Sequence, residues 1–222
     1  MAISKGRSNL QAWVEDNLRY LGDLLHEYPA WLDSWTAKTD AEFKQTAKDT
    51  AEGDEEIEQD IYWQMLSVFD GNDYKFDTFN KAMLIMAYSF YEQAVPHLLK
   101  LSKRPKTKDL VDLLCKANDI KLSKEEQKAK DFLHQDVRNI RNYIVHNDAS
   151  CWQKGKKVET ICKKHNSIQL DSNSMRISFS NDKFIVDAIE ALRTLIVGLI
   201  KKLESKRNKL QTKKIQNNEN KS

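Results

Sequence analysis

Six glycines and three prolines in 222 residues are too few to turn a chain repeatedly between short strands. This scarcity excludes a turn-rich β-sandwich and leaves helices as the natural way to build a core. The three cysteines, Cys115, Cys151 and Cys162, are odd in number and widely spaced. They form no disulfide framework and point to a reducing, cytoplasmic setting. No apolar run approaches the roughly 20 residues needed to cross a bilayer, because polar residues soon follow the run at 82–87. The N-terminus carries no signal-peptide pattern, so neither a membrane nor a secretory route is expected. The formal charge is only +3 with a pI near 8.6, and a field that weak does not by itself declare a nucleic-acid binder. There is also no glycine-rich phosphate loop, nucleophile elbow or paired-histidine zinc helix. These absences argue against a P-loop nucleotide hydrolase, a serine hydrolase and a zincin.

What remains is a chain with 40% hydrophobic and 31% charged residues, enough for one well-packed domain with an elaboration. Leu10, Trp13, Val14, Leu18, Leu21, Leu24 and Leu25 recur at three and four, which predicts an amphipathic helix over 9–35 that Pro29 bends or ends. Its aromatic end, Tyr28, Trp31 and Trp35, either covers the core or meets a partner. Residues 49–60 are strongly acidic and read as a solvated connection between helices; the fixed ligand spacing of a calcium loop is missing. A second helix over 57–69 ends in turn chemistry at 70–73. Residues 76–101 are the most apolar long segment and predict a central buried helix, kinked at Pro96. A short helix over 109–117 comes next. Ser123 and Glu126 then make a capping box that opens a helix running to about His146.

Residues 150–166 read as irregular and polar. Cys151, Cys162 and His165, with His146 as a fourth ligand, invite a zinc assignment, but paired Cys-x-x-Cys knuckles are absent and no metal or other cofactor is assigned. Alternation of Ile168 and Leu170, then Met175, Ile177 and Phe179, predicts a β-hairpin over 167–180. Helical periodicity returns over 184–203. The basic end that follows reads as a solvated, disordered tail or as an auxiliary RNA grip. The predicted organisation is therefore an N-terminal helical segment over 1–72 packed on a core at 73–205, with a basic, disordered tail at 206–222. The fold class is mainly α, a helical bundle with a small β-hairpin between its motif helix and its last long helix.

The chemistry concentrates at residues 136–148. At ~100° per residue, Leu133, Val137, Ile140 and Ile144 fall in a narrow arc that must face the core. The other face carries Arg138, Asn142 and His146 at i, i+4 and i+8, with Arg141 at the stripe's flank. Glu92, set among apolar neighbours in the central helix, either pairs with Arg141 or Arg138 or reaches solvent at the helix edge.

The run Arg141-Asn142-Tyr143-Ile144-Val145-His146 resembles the signature of the HEPN superfamily (higher eukaryotes and prokaryotes nucleotide-binding). There, arginine, usually followed by a polar residue, precedes histidine by four to six positions. The order of elements around it over residues 76–203 is also similar: an apolar helix, the motif helix, a hairpin and a last amphipathic helix. The resemblance implies a HEPN-like helical bundle, a homodimer, and a metal-independent endoribonuclease of the toxin or antiviral type, with an antitoxin or regulatory protein as a further partner class. Its catalytic residues would be Arg141, Asn142 and His146, supported by Arg138 and Glu92. Two positions after the histidine stands Asp148, not the tyrosine of one nucleotidyltransferase-paired branch, so adenylylation there is not expected. A noncatalytic helical module that binds a nucleotide, RNA or a protein partner through the same groove is the alternative.

This residue set suits RNA cleavage. Histidine, with a reference pKa of ~6.5, moves protons near neutral pH, and arginine holds phosphate oxygens without losing charge. One motif histidine per chain cannot be acid and base at once, which is why a two-fold pair of chains is expected.

Overall fold

The computed structural model describes residues 9–69, 72–99, 110–146, 155–171 and 176–219. They fold as a mainly helical protein with one two-stranded antiparallel hairpin. No helix among them is long and apolar enough to cross a membrane.

Helix α1 (Asn9–Thr50) buries Val14, Leu18, Leu21, Leu25 and Leu32 at the predicted spacing. It does not stop at Pro29. The proline deletes one backbone donor, a defect of about 3 kcal/mol in a helix interior. Leu25 and Leu32 are buried on either side of it, and Tyr28 stacks on Phe79 with ring centroids 3.8 Å apart, so packing holds both flanking turns in line. The reversal at 51–54 uses positive φ at Glu52 and Gly53. Asp54 then caps α2 (Glu55–Phe69) by accepting from the backbone N–H groups of Glu56 and Ile57 at 3.0 and 3.2 Å. Three glutamates in the first turn of α2 complement its dipole.

Helix α3 (Asn72–Leu98) is the central apolar helix, burying Met83, Leu84, Ala87, Tyr88, Tyr91 and Val95 among others. Pro96 does not kink its middle, since it sits in the last turn, two residues before the helix ends. After α4 (Leu110–Ala117), the capping box forms as the sequence predicts: Ser123 Oγ accepts from the Glu126 N–H at 3.2 Å, and Glu126 Oε2 accepts from the Ser123 N–H at 2.6 Å. Helix α5 (Lys124–Phe132) continues through a π-helical turn (Leu133–Val137) into α6 (Arg138–Val145), giving one unbroken rod. Leu133, Val137 and Ile140 are fully buried, as their periodicity requires. Tyr143, absent from the predicted stripe, is buried too, while Ile144 is only half-buried. The wider turn advances each residue by less than 100°, so an α-helical register drifts on passing it.

Two expectations need correction. Residues 155–164 are not irregular but form α7 (Gly155–Lys164), because Val158 and Ile161 give the lysine-rich run a buried face. The last helix, α8 (Lys183–Glu219), does not give way to a disordered tail at 206; with no glycine or proline after Gly198 it continues sixteen residues past Leu203, the last buried position among its described side chains. The hairpin pairs β1 (Ile168–Leu170) with β2 (Ile177–Phe179) in the register Ile168 to Phe179, and its turn at 172–175 lies outside the described residues. One apolar cluster joins residues of α1 with those of α3 to α8 and the hairpin.

Two polar contacts lock this packing. Asp136, buried in the π-helical turn, accepts from Lys164 Nζ at 2.6 Å and pairs with His165 Nε2 at 2.9 Å, fastening the end of α7 to the rod. Glu126, also buried, bonds Lys202 of α8 and fits a notch left by the missing side chain of Gly198. A β-carbon at Gly198 would overlap the glutamate's carboxyl oxygen. Gly198→Ala is therefore expected to cost about 1–3 kcal/mol in denaturant unfolding, as overpacking does. Gly22→Ala in α1, where a β-carbon meets nothing within 4 Å, should be neutral or stabilising in the same measurement. Asp136→Ala strips a partner from both Lys164 and His165 and should lower stability by about 1–3 kcal/mol; a variant as stable as the parent would show that the contact holds nothing.

Candidate functional site

The rod crosses α3 at Arg141. Its guanidinium lies 5.8 Å from the Tyr88 ring centre, Nη2 stands 3.8 Å from Glu92 Oε2, and Nη1 donates to Asn142 Oδ1 at 3.0 Å. Tyr88 and Glu92 are one turn apart on α3, so a single helix face offers the arginine both a π surface and a counter-charge. Of the two sequence alternatives for Glu92, the structure shows the pair with Arg141. Both side chains are about three-quarters shielded from solvent.

One feature of this arginine is unusual. Its Nε is buried and makes no hydrogen bond. A buried donor left unpaired costs about 1–3 kcal/mol, and a guanidinium fixed by neighbours on several sides is not free to swing out and relieve it.

His146 caps the C-terminus of α6, with φ −114° and ψ 31°, its N–H donating to the Asn142 carbonyl at 3.0 Å. Its side chain is exposed one turn beyond Asn142. Arg138 is half-buried one turn before Asn142. The structure thus joins Arg141, Asn142 and Glu92 by direct contact, and sets Arg138 and His146 beside them by helical register. Asn147 and Asp148, expected to end the motif helix, lie outside the described residues.

Sequence reasoning missed Tyr88, which reads as one more core aromatic; its only signal is its spacing from Glu92. It also missed the contacts made from the π-helical turn. His134 meets the Tyr91 hydroxyl, and Asp136 takes His165 as described above. His165 is thereby committed to a carboxylate, with Phe132 and Phe184 against its ring. Burial pushes the Cys162 thiol up to about 11, far from the thiolate form that binds metals. Among the described residues no group of three or more histidine, cysteine or carboxylate side chains could hold a metal ion. A cavity of about 660 Å3 opens elsewhere, between α1 and α8, and includes none of the motif residues.

If Glu92 orients Arg141, Glu92→Gln should loosen the guanidinium while changing unfolding free energy by less than about 1 kcal/mol, because a partly exposed pair at this separation contributes little. Nitrogen NMR of the Arg141 side chain would show the change as faster local motion; an unaltered signal would place Glu92 outside the site. Comparison with protein-family models, with curated proteins and with solved structures found no match for this chain, so the reading of the site rests on its geometry and chemistry.

Proposed function

We propose that the chain is a metal-independent endoribonuclease of the HEPN type, acting at the Arg141, Asn142 and His146 surface. The observation that carries this reading is the state of Arg141. Glu92, Asn142 and Tyr88 hold its guanidinium in place, yet a buried donor is left without a protein partner. A site prepared for an oxyanion has this form, because donors fixed in advance need no reorganisation when charge develops on phosphate.

In this reading the 2′-hydroxyl of RNA attacks the adjacent phosphorus, the phosphorane spreads its charge onto Arg141, and the 5′-oxygen leaves as the 2′,3′-cyclic phosphate closes. His146, exposed at the helix end, exchanges a proton with one of these oxygens. Asn142 sits between arginine and histidine in register and steadies both. Arg138 extends the cationic surface toward the flanking phosphates, and Glu92 keeps Arg141 aligned. Attack and departure each need a proton-transfer group, so the second histidine comes from a second copy of the chain. Cleavage of this kind suits a toxin or antiviral effector restrained by an antitoxin or regulatory protein.

The purified protein should cut mixed RNAs in the presence of EDTA, leaving 2′,3′-cyclic phosphate ends, and should spare DNA, which lacks the attacking hydroxyl. His146→Ala should slow cleavage ~10²–10⁴-fold with an unchanged melting temperature, since the side chain is exposed. Arg141→Ala should lose ~10²–10³-fold. Cleavage that requires a divalent metal, or that survives in a folded His146→Ala protein, overturns the mechanism. A wild type that binds RNA or a nucleotide at this surface without cutting it leaves the noncatalytic module in its place.

A further inference from the structure

Two long helices outrun the body they are packed into. On α1, the last residue buried before the tip region is Leu32, and beyond it α1 and α2 pair mainly with each other. They form an arm that extends ~27 Å at 1.5 Å per residue. On α8, no described side chain after Leu203 is buried, and the remaining turns to Glu219 extend ~24 Å.

The two projections leave from opposite poles. Trp13 meets His97 near the end of α3, and Tyr28 stacks on Phe79 near its start, so α1 runs antiparallel to α3. Phe179, just before α8, donates its N–H to Asp77 at the start of α3, whereas Lys206 reaches the Asp119 carbonyl after α4, the helix that follows α3. Helix α8 therefore runs the same way as α3 and leaves at the pole away from the arm.

Their chemistry is complementary. Residues 49–60, at the tip of the arm, hold seven carboxylates and no lysine or arginine. Residues 201–214 hold seven cations and one glutamate. Lys202 and Lys206 are engaged within the chain, while Lys201, Arg207 and Lys209 stand on exposed positions. Both projections also carry exposed apolar groups: Ile57 (48%) and Trp63 (61%) on the arm and Leu210 (60%) on the extension. Surfaces of this kind bind a partner with apolar anchors and select it by charge.

We propose that the occupant of each projection is the opposite projection of a second copy of this chain, in an antiparallel two-fold pair. Separation to opposite poles prevents the two from meeting within one chain, and matched lengths let them lie alongside each other between chains. A two-fold axis makes the contact twice and closes the assembly. RNA fits this pair of surfaces less well. It would suit the basic extension alone, but seven carboxylates at the other pole would repel phosphate, and only another copy satisfies both. The inference is separable from the proposed cleavage, which asks only that two copies meet at the Arg141 and His146 surface: a monomer would count against both, whereas dimers unmoved by the charge reversals would count against this pairing alone.

Sedimentation and light scattering of the full chain test it. The wild type should dimerise at micromolar concentrations in low salt and associate at least about tenfold more weakly near 0.5 M salt, where exposed charges are screened. Arg207→Glu with Lys209→Glu should weaken self-association by about tenfold or more, and so should Glu55→Lys with Glu58→Lys. Both variants should keep the parent's helical circular dichroism, since Glu55, Arg207 and Lys209 are exposed and Glu58 is only half-buried. Mixing the two should restore dimers, because each then offers the charge the other lacks. A wild type that stays monomeric at about 100 µM in low salt overturns the proposal. So do dimers undiminished in both variants, or folded variants that fail to pair on mixing. Cross-linking of RNA to the extension of a protein that remains monomeric also overturns it, by assigning the extension to nucleic acid.

Discussion

Burial of the two apolar helices α3 and α8 side by side, running in the same direction, is the constraint on which the rest of the molecule depends. Met83, Leu84, Ala87 and Val95 from one and Leu192, Leu195, Ile196 and Leu199 from the other are all essentially inaccessible. Each of these side chains larger than alanine contributes about 1.5–3 kcal/mol when taken from water, more than a typical surface ion pair. Two parallel helices need a long connection to return the chain to its starting pole, and the rod α5–α6 with α7 and the hairpin supplies it. Glu126 shows how tightly the return is fitted. It caps its own helix, bonds Lys202 and fills the space over Gly198, so one carboxylate sets the start of α5 against a single turn of α8.

The π-helical turn follows from the same geometry. The rod packs against α8 at its start and crosses α3 at its end, and these partners lie on different sides of it. A straight helix would carry one stripe past both. Widening at Leu133–Val137 rotates the later residues, sending Arg141 to α3 and Tyr143 into the core. It also points His134 toward Tyr91 and Asp136 toward α7, so two of the turn's three polar residues become cross-links instead of buried liabilities.

These are the features that the sequence reveals least. Periodicity identified Leu133, Val137 and Ile140 and the capping box at Ser123 and Glu126, because both rest on neighbours a turn apart. It missed Tyr143, since the register shift depends on partners far away in the chain. A charge among apolar residues made Glu92 conspicuous, whereas Tyr88 is indistinguishable in composition from a purely structural aromatic. Helix α7 was hidden by its lysines, which are good helix formers but obscure the short face of Val158 and Ile161. Helix α1 survives Pro29 only through contacts at Tyr28 and Leu32 that no local rule contains. The acidic and basic runs were legible as charge. Their placement at opposite poles was not, because it depends on the direction of every helix between them.

The looseness of the Glu92 contact bears on the proposed chemistry. A carboxylate gripping Arg141 in bidentate fashion would occupy two parallel donors and neutralise much of the charge that a phosphate must feel. At 3.8 Å the pair is long for a hydrogen bond, so in the proposed chemistry Glu92 would act as a steering charge and not as a competitor. Tyr88 offers the flat guanidinium a surface without taking an N–H donor, and Asn142 takes one. Asn142 takes one of the five N–H donors that an arginine carries, and the others on the terminal nitrogens remain for a ligand, while the one on Nε is buried and unpaired. Asn142 then passes the alignment one turn along the helix to His146 through the backbone bond between them. A surface arginine serving only solubility needs neither a π support nor a steering carboxylate, and it would not leave a donor buried and unpaired. On the proposed reading, the arrangement sacrifices local stability to keep a cation ready at the end of a rigid rod, where transfer of a phosphodiester would require it.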